Sequence, residues 1–393
     1  MGWIRLGDIA SKITKGTTPT SAGFHFTDTG VNFVKVESIS EDGNFIVDKF
    51  AHINNECNNK LGRSQLEEND ILFSIAGAIG RTAIVTKDIL PANTNQALAI
   101  IRIPNGIVDY SFLMYALKSP ALFSQYEKQK QGVAQINLSL QNVSDFRIPQ
   151  FSLDEQRKIA AVLDKVSDLI AKRRQQLDKL DELIKARFVE MFGTLQVPQS
   201  NFPVVSIDSV CSLIKDGTHQ TPKYTDDTEN GFKFLSSKDV MTQKISWDNI
   251  KYIPAELHER LYAVIQPQRN DILMSKNGVN YGVAAVNDSD EIFDIYVSLA
   301  LLRPTSKINP VYFRCAINNP DTKRQFDNGI KGIGVPNLHL NEIKKTKILL
   351  PPLSMQSQFA TFVEQTEKTK TTISKSLEKL ETLKKALMQD YFG

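Results

Sequence analysis

Two long stretches of the chain carry apolar residues at the spacing of a helix. The first covers residues 154–192 and the second about 355–392, and neither contains proline or glycine. In both, apolar residues recur three and four positions apart, which is the pattern of a coiled-coil seam. The predicted seam comprises Ile159, Val162, Val166, Ile170, Leu177, Leu180, Ile184, Phe359, Phe362, Ile373, Leu377, Leu380 and Leu387.

The ends of the first helix carry their own signals. Ser152 followed by Glu155 predicts a capping box at its start, and Gly193 is a natural C-terminal stop. Each helix would be about 55–60 Å long. Because so narrow an apolar stripe is too long for the adjacent globular part to cover, we expect the two helices to pair antiparallel. Two separate helical hairpin arms are the alternative.

The rest of the chain shows short β-type runs between glycine, proline and asparagine turns. Short helices are predicted at residues 111–118 and 311–318, and Pro120 and Pro320 should stop them. This mixture predicts an α+β fold. The expected strand regions are residues 31–36, 82–85, 97–103, 232–235, 283–286 and 297–302.

The chain is an internal repeat with a period near 200 residues. The tetrapeptide NDIL occurs at 69–72 and again at 270–273, and GVAQINLSL at 132–140 parallels GIGVPNLHL at 332–340. Pro149 and Gln156 are matched with Pro351 and Gln358. A period this long indicates two copies of a whole globular unit followed by a helix. The predicted divisions are residues 1–151, 152–193, 194–353 and 354–393.

Composition and charge exclude several classes of protein. The chain has 393 residues, of which 41% are hydrophobic and 23% charged, and it has no apolar run long enough for a membrane span. The start lacks an apolar signal core, and the three cysteines form no CxxC pair, so we expect a cytoplasmic location with reduced thiols. The net charge of +3 excludes a protein that coats nucleic acid by bulk charge.

The usual catalytic signatures are absent from the sequence. It has no GxxxxGK[ST] loop, no GxGxxG after a strand, and no (Asp/Asn)-Pro-Pro-(Tyr/Phe) tetrapeptide of adenine methyltransferases. Pro320-Asp321 with Glu342 and Lys344 resembles the PD…ExK pattern of metal-dependent nucleases. The first copy lacks these residues, so we favour a helix-ending turn there. Asp70 and Asp271 of the NDIL segments are interpreted as structural turn residues.

Polar loops recur at matched places in the two copies but differ in content. Lysine and arginine suit guanine edges and phosphates, whereas asparagine and glutamine suit adenine edges. The same scaffold with changed loop chemistry is what two readers of different DNA sequences would need, although ordinary surface turns remain the alternative for any single residue. The candidate DNA-binding residues are Lys15, Thr17, Thr18, Lys35, Ser74, Arg81, Gln135, Asn137, Lys215, Thr218, His219, Ser236, Lys238, Lys276, Asn277, Tyr281 and Asn337.

Over its whole length the chain resembles the specificity (S) subunit of a type I restriction-modification enzyme. The resemblance rests on the segments IPQFSLDEQRKIAAVLD and LPPLSMQSQFATFVEQT, which lead into the helices, and on the repeated GT-containing and NDIL…G…G loops. It implies two tandem target-recognition domains whose helices form an antiparallel coiled coil with pseudo-two-fold symmetry. The coiled coil would set the distance between the two halves of a bipartite DNA site.

The resemblance also implies that this chain has partner subunits and that it is not itself catalytic. Two methyltransferase (M) subunits and motor-nuclease (R) subunits would join it on double-stranded DNA. S-adenosylmethionine, ATP and Mg²⁺ would be used by those partners, and no metal or cofactor by this chain. The alternatives are a specificity subunit for a fused nuclease-methyltransferase and a stand-alone metal-dependent nuclease. Because few phosphates can be neutralised, we expect the isolated chain to bind DNA weakly.

Overall fold

The chain divides into two units in this computed structural model, which describes residues 2–127, 137–330 and 336–393. Unit 1 consists of Met1–Arg174 with Lys375–Gly393, and unit 2 of Gln175–Ser374. The division therefore falls in the middle of each long helix and not at its start. Each unit contains one globular part and one segment of each helix.

Unit 1 is built from short strands and helices. Its strands are β1 (Gly2–Arg5), β2 (Lys12–Lys15), β3 (Val31–Val34), β4 (Ala51–Ile53), β5 (Ile71–Ser74), β6 (Thr82–Ile84), β7 (Ala92–Thr94), β8 (Leu98–Arg102) and β9 (Arg147–Gln150). Its helices are α1 (Leu6–Ile9), α2 (Asn55–Lys60), α3 (Tyr110–Leu117), α4 (Pro120–Glu127), α5 (Leu140–Asp145) and the first part of α6 (Leu153–Phe192). Turns of 3-10 helix occur at Pro19–Ala22, Val36–Ser38, Val47–Lys49, Gly62–Ser64 and Lys87–Ile89.

The strands of unit 1 form three sheets. An antiparallel sheet has the order β2-β8-β5-β6, and a second sheet has the order β4-β3-β7, in which β3 and β7 are parallel. Strands β1 and β9 form a separate antiparallel pair. Strand β5 is buried on both faces: Ile71 and Phe73 join the apolar cluster that contains α3, and Leu72 joins a second cluster with Val34. Alternate residues of one strand thus support two cores.

Unit 2 repeats this architecture. Its strands are β10 (Val204–Ser206), β11 (Cys211–Asp216), β12 (Phe232–Leu235), β13 (Lys251–Ile253), β14 (Ile272–Ser275), β15 (Ala284–Val286), β16 (Phe293–Ile295), β17 (Leu299–Pro304) and β18 (Lys347–Leu349). Its helices are α7 (Ala255–Tyr262), α8 (Pro310–Ile317), α9 (Pro320–Gly329), α10 (Leu340–Lys345) and the first part of α11 (Leu353–Phe392), with 3-10 turns at Ile207–Val210 and Ser237–Val240.

The sheets of unit 2 match those of unit 1 strand for strand. Their orders are β11-β17-β14-β15, β13-β12-β16 and β10-β18, with β12 and β16 parallel. The predicted short helices are confirmed as α3 and α8. Pro120 and Pro320 do more than end them, because each occupies the first turn of the next helix, where a missing N–H costs nothing.

Both predicted long helices are confirmed, each with 40 residues. Ser152 and Glu155 bond reciprocally at the start of α6, and these bonds lower the pKa of Glu155. The predicted match of Gln156 with Gln358 is wrong. Gln156 accepts a hydrogen bond from the Asp109 backbone N–H at 2.9 Å, and Gln356 accepts the corresponding bond from Asn309 at 2.8 Å.

The helices pack together within each unit. In unit 1, Leu163 near the start of α6 shares its apolar cluster with Phe392 at the end of α11, and Arg174 bonds to Glu381 at 2.8 Å, so the two segments run antiparallel. In unit 2, Lys370 Nζ lies 2.5 Å from Asp181 Oδ1. None of the helices in the described ranges has both the length and the hydropathy needed to cross a membrane.

The structure corrects the predicted seam by one residue in each helix. Val162 is 42% exposed, and its neighbour Leu163 is fully buried. In α11, Phe362 is half-buried and Val363 is buried, which is the same displacement by one residue. Of the other predicted seam residues, the buried ones are Ile159, Val166, Ile170, Ile184 and Phe359, and the half-buried ones are Leu177, Leu180, Ile373, Leu377, Leu380 and Leu387.

Candidate nucleic-acid interface

A buried ion pair fixes the same turn in both units. Asp70 is 1% exposed and accepts two hydrogen bonds of 2.7 Å from Arg102, and Asp271 pairs with Arg303 at 2.8–2.9 Å in the same way. Each aspartate also accepts a bond from a backbone N–H three residues before it. The two NDIL aspartates therefore hold their turns, in agreement with the structural interpretation.

A glycine in each unit brings the first polar loop against a neighbouring strand. A Cβ atom on Gly16 would lie 1.8 Å from the Thr94 carbonyl oxygen, and one on Gly217 would lie 2.0 Å from that of Ile295. No side chain fits such a distance, so only glycine permits this approach. The residues on either side of each glycine are thereby held beside the end of the three-stranded sheet.

Several predicted DNA-binding residues of unit 1 bond inward. Ser74 is fully buried, and its hydroxyl donates to the Ala78 carbonyl and accepts from the Arg81 backbone N–H at 2.8 Å. The Arg81 guanidinium donates to the backbone carbonyls of Val36 and Ile39. We therefore correct the role of Ser74 from a DNA contact to one that shapes its loop. Arg81, which is half-buried, joins two loops.

The remaining predicted residues of unit 1 are partly accessible. Lys15, Thr17 and Thr18 are half-buried, and Asn137 is exposed. Thr18 donates to Gln96, and Arg63 reaches the Lys15 carbonyl and the Thr17 hydroxyl. Lys35 Nζ lies 4.7 Å from the centre of the Phe26 ring. Gln135 lies outside the described residues.

In unit 2 the loop after β14 contains a buried lysine. Lys276 is 4% exposed, and its Nζ donates to Asp216 Oδ2 at 2.7 Å, while His219 Nε2 lies 3.3 Å from the same oxygen. The Leu338 N–H donates to the Lys276 carbonyl and the Gly278 N–H to that of Pro336. These bonds bring Asn277 opposite Asn337. Segments that are far apart in sequence thus meet around Lys276.

Other predicted residues of unit 2 are accessible to different degrees. Lys215, His219 and Asn337 are exposed, Thr218 and Ser236 are half-buried, and Lys238 pairs with Asp239 at 2.5 Å. The Tyr281 hydroxyl donates to Asp327, and Lys323 Nζ lies 3.4 Å from the centre of its ring. Hydrogen bonds from Lys323 and Tyr281 lower the pKa of Asp327. Tyr281 is therefore held in a fixed orientation.

An open groove of about 490 Å³ crosses this part of unit 2. Asp216 and Lys276 form its floor, while His219, Asn337, His339 and Asn341 lie along its rim. Three of these residues, Asp216, His339 and Asn341, are not among the DNA-binding residues predicted from the sequence. Asp216 stands where the first copy has Lys15, directly before the glycine that both copies need, and this change of charge was the signal available in the sequence.

The nuclease-like residues are engaged in other bonds. Asp321 is 8% exposed, accepts a 2.8 Å bond from the Leu195 N–H, and pairs with Arg324. Glu342 lies 3.5 Å from Lys345. A search of the described ranges found no group of three or more His, Cys, Asp or Glu residues that could hold a metal ion. The carboxylate of Asp321 thus joins the segment at Leu195 to the first turn of α9.

A family model for the type I restriction modification DNA specificity domain matches the chain twice, over residues 2–182 and 199–384. The chain is similar to the MjaVIII specificity subunit of Methanocaldococcus jannaschii, with 23% identity over 404 aligned residues that cover 98% of this chain and 90% of the relative. It is also similar to the EcoBI specificity subunit of Escherichia coli, with 33% identity over 132 residues that cover 33% of this chain and 27% of the relative.

Two solved structures have a similar fold. A chain from work on complex assembly and conformational transition of the type I R-M system has a TM-score of 0.60 and 17% identity, covering 99% of this chain and 97% of its own. The S subunit of a type I restriction-modification system from M. genitalium has a TM-score of 0.55 and 16% identity, covering 100% of this chain and 96% of its own. These likenesses confirm the predicted fold of two tandem mixed α/β domains with long helices that pack together.

Proposed function

We propose that this chain, which belongs to the type I restriction modification DNA specificity family, supplies DNA-sequence specificity to a methyltransferase and a translocating endonuclease. The observation that carries the proposal is the pair of family domains in one chain, with the same strand order and different loop chemistry. Two DNA-binding units with different loop residues would recognise the two halves of an asymmetric bipartite site. The chain itself performs no chemistry in this account.

Each unit would read a few base pairs in the major groove and use phosphate contacts to set its register. The partly accessible residues are the better candidates for these contacts, chiefly Lys15, Thr17, Thr18, Lys35 and Asn137 in unit 1, and Lys215, Thr218, His219, Ser236, Lys238, Asn277, Tyr281 and Asn337 in unit 2. Arg81 would act through the two loops it joins. Gln135 is retained as a candidate from the sequence.

Two M subunits and the R subunits would assemble on this chain and on double-stranded DNA in the cytoplasm. S-adenosylmethionine, ATP and Mg²⁺ would be used by those partners. Helices α6 and α11 would set the gap between the half-sites, on the order of one turn of DNA, ~34 Å. Their continuity over 40 residues each supports this role.

The deciding experiment is methylome sequencing of a host that carries this chain with its methyltransferase. We expect adenine methylation in one bipartite, asymmetric motif that disappears when the gene for this chain is deleted. A continuous palindrome, or methylation that persists after the deletion, would overturn the proposal.

Inserting four residues into α6 tests the role of the helices. We expect the recognised gap to lengthen, or methylation to stop, with both half-sites unchanged. A changed half-site with an unchanged gap would exclude a ruler role. A four-residue insertion in the exposed turn after Gly106 is the matched control and should leave the motif as it is.

A further inference from the structure

The groove of unit 2 places a donor and an acceptor side by side. Lys276 Nζ is 2.7 Å from Asp216 Oδ2, and Asp216 is its one hydrogen-bond acceptor in the described part of the chain. An ammonium group has three N–H donors, and a carboxylate has about four acceptor positions. Both groups therefore keep hydrogen-bonding capacity after pairing with each other.

Burial makes this pair rigid. The Lys276 side chain is 5% exposed and that of Asp216 is 21% exposed, and both lie at the floor of the groove. The backbone around Lys276 is fixed on two sides, because its carbonyl accepts from Leu338 and its N–H donates to Ser298. A preorganised pair loses little conformational entropy when a ligand arrives.

The Asp216 carboxylate determines whether the pair is suited to the phosphates or to the base edges of DNA. A phosphate would be attracted by Lys276 but repelled by Asp216, so the pair is poorly suited to the DNA backbone. The major-groove edge of a G·C pair offers acceptors on guanine and an N–H donor on cytosine, which is the complementary pattern. Lysine donating to guanine and aspartate accepting from cytosine N4 are both favoured pairings.

We propose that Lys276 and Asp216 together read one G·C base pair in the half-site bound by unit 2. This assignment rests on the proposed function and names the base pair that one site of it selects. Unit 1 has Ile75, which is 2% exposed, in place of Lys276, and Lys15 in place of Asp216. The donor and acceptor pair therefore belongs to unit 2, and unit 1 cannot make the same paired contact at its matched positions.

The test uses the full chain with its methyltransferase and a plasmid library that randomises both half-sites. Lys276→Met keeps an unbranched buried side chain without the ammonium donors, and Asp216→Leu keeps a side chain of similar shape without an acceptor. We expect each substitution to reduce the preference for G·C at one position by at least about five-fold, because a good bidentate contact discriminates by this much or more. Every other position, and the gap, should be unchanged. Lys345→Met, at a 74% exposed side chain of the same unit, is the control.

Three results would overturn this assignment. The first is an unchanged motif in both variants. The second is relaxation at an A·T position or at several positions together. The third is an equal loss of DNA affinity on all sequences, with the slope of log affinity against log salt concentration reduced by about one, which indicates a phosphate contact. Fluorescence of Trp247, in the same unit, shows whether each variant folds. If the unsubstituted chain gives no bipartite motif, the proposed function fails, whereas a bipartite motif that neither variant alters removes only the G·C assignment.

Discussion

The two units differ most where their frames are most alike. In both, a loop between the last two strands of the antiparallel sheet turns at a pair of left-handed glycines, Gly77 and Gly80 in unit 1, and Gly278 and Gly282 in unit 2. In unit 1 the loop begins with the buried Ile75, and in unit 2 with the buried Lys276. An apolar residue in one copy and a charged one in the other occupy the same backbone position.

This difference shows how the fold separates stability from recognition. The frame is held by groups that both copies retain, such as the Asp70–Arg102 and Asp271–Arg303 pairs and the glycines at 16 and 217. The loops between them carry residues that differ in charge and hydrogen-bonding type. Matched substitutions of frame residues should therefore destabilise the two units alike. Substitution of a loop residue should change the recognition of one half-site only.

The largest expected effect comes from breaking the buried ion pairs. Asp271→Asn leaves the largely buried Arg303 without its carboxylate and should lower the free energy of unfolding of unit 2 by about 3–5 kcal/mol. Asp70→Asn leaves Arg102 with the exposed Glu67 as its remaining carboxylate, so the loss in unit 1 should lie at the lower end of that range. The two tryptophans allow each unit to be followed separately in urea, Trp247 in a Trp3→Phe background for unit 2 and Trp3 in a Trp247→Phe background for unit 1.

Asp181→Asn is the control for this prediction, because Asp181 is 53% exposed in its pair with Lys370. Its effect should be below about 1 kcal/mol. A loss confined to one unit, with the other tolerant of the same change, would show that the two frames are not equivalent.

The seam of α6 gives the next largest effect. Leu163→Ala removes a fully buried side chain and should lower the free energy of unfolding of unit 1 by about 2–5 kcal/mol. Val162→Ala, at a 42% exposed position next to it, should change it by less than about 0.5 kcal/mol. Urea unfolding followed at Trp3 measures both. The reverse order would restore the seam that the sequence predicts.

The sequence predicts the long helices and the repeat because both are periodic along the chain. The choice between Val162 and Leu163 is not settled by that pattern, since two apolar neighbours both fit a spacing of three or four. The packing of the globular part and of α11 against α6 decides it. Likewise, glutamines at 356 and 358 fit the repeat almost equally, and it is burial and the bond from the Asn309 N–H that identify Gln356 as the match of Gln156.

The groove of unit 2 is harder to predict from the sequence than the long helices are. Its floor and rim come from residues 216–219, 276–277 and 337–341, which are brought together by long-range strand pairing. Lys276 and Asn277 can be predicted from the sequence because they lie in a polar loop directly after the repeated NDIL segment. Asp216 cannot be predicted in this way, because an acid beside a DNA contact is unfavourable unless its lysine partner is known from the three-dimensional structure.

A smaller effect is expected at the two close-approach glycines. Gly16→Ala and Gly217→Ala each force a methyl group against a backbone carbonyl and should destabilise their own unit by about 1–3 kcal/mol. The same tryptophan backgrounds report the change in each unit. Gly62→Ala is the matched control, because no atom lies within 4 Å of its added Cβ. Equal tolerance of all three substitutions would remove the proposed constraint on the first polar loop.

The edge strands β7 and β16 of the three-stranded sheets carry a neutral hydrogen-bond network in unit 1 and an ionisable pair in unit 2. In unit 1, the buried Asn93 bonds to Ser64, Asn58 and the Leu61 carbonyl. In unit 2 the corresponding residue is Asp294, which is 2% exposed and lies 2.7 Å from His258 Nδ1. Burial raises the pKa of the Asp294 carboxyl, and the hydrogen bond to His258 opposes that rise.

This contrast predicts a pH dependence for unit 2 that unit 1 lacks at the same position. Because its pKa is raised in the folded state, Asp294 holds a proton more tightly when folded, so its contribution favours folding at low pH and is lost as pH rises through the folded pKa. The free energy of unfolding of the native chain minus that of Asp294→Asn should therefore fall as pH rises from the ordinary carboxyl pKa to the raised folded pKa, by at most about 1.4 kcal/mol per pH unit. Urea unfolding at Trp247 from about pH 4 to about pH 7 measures it. The reciprocal change, Asn93→Asp, buries a carboxylate whose neighbours Ser64, Asn58 and the Leu61 carbonyl are all neutral, so unit 1 should become less stable as pH rises. A pH-independent cost there would contradict the electrostatic origin of the contrast.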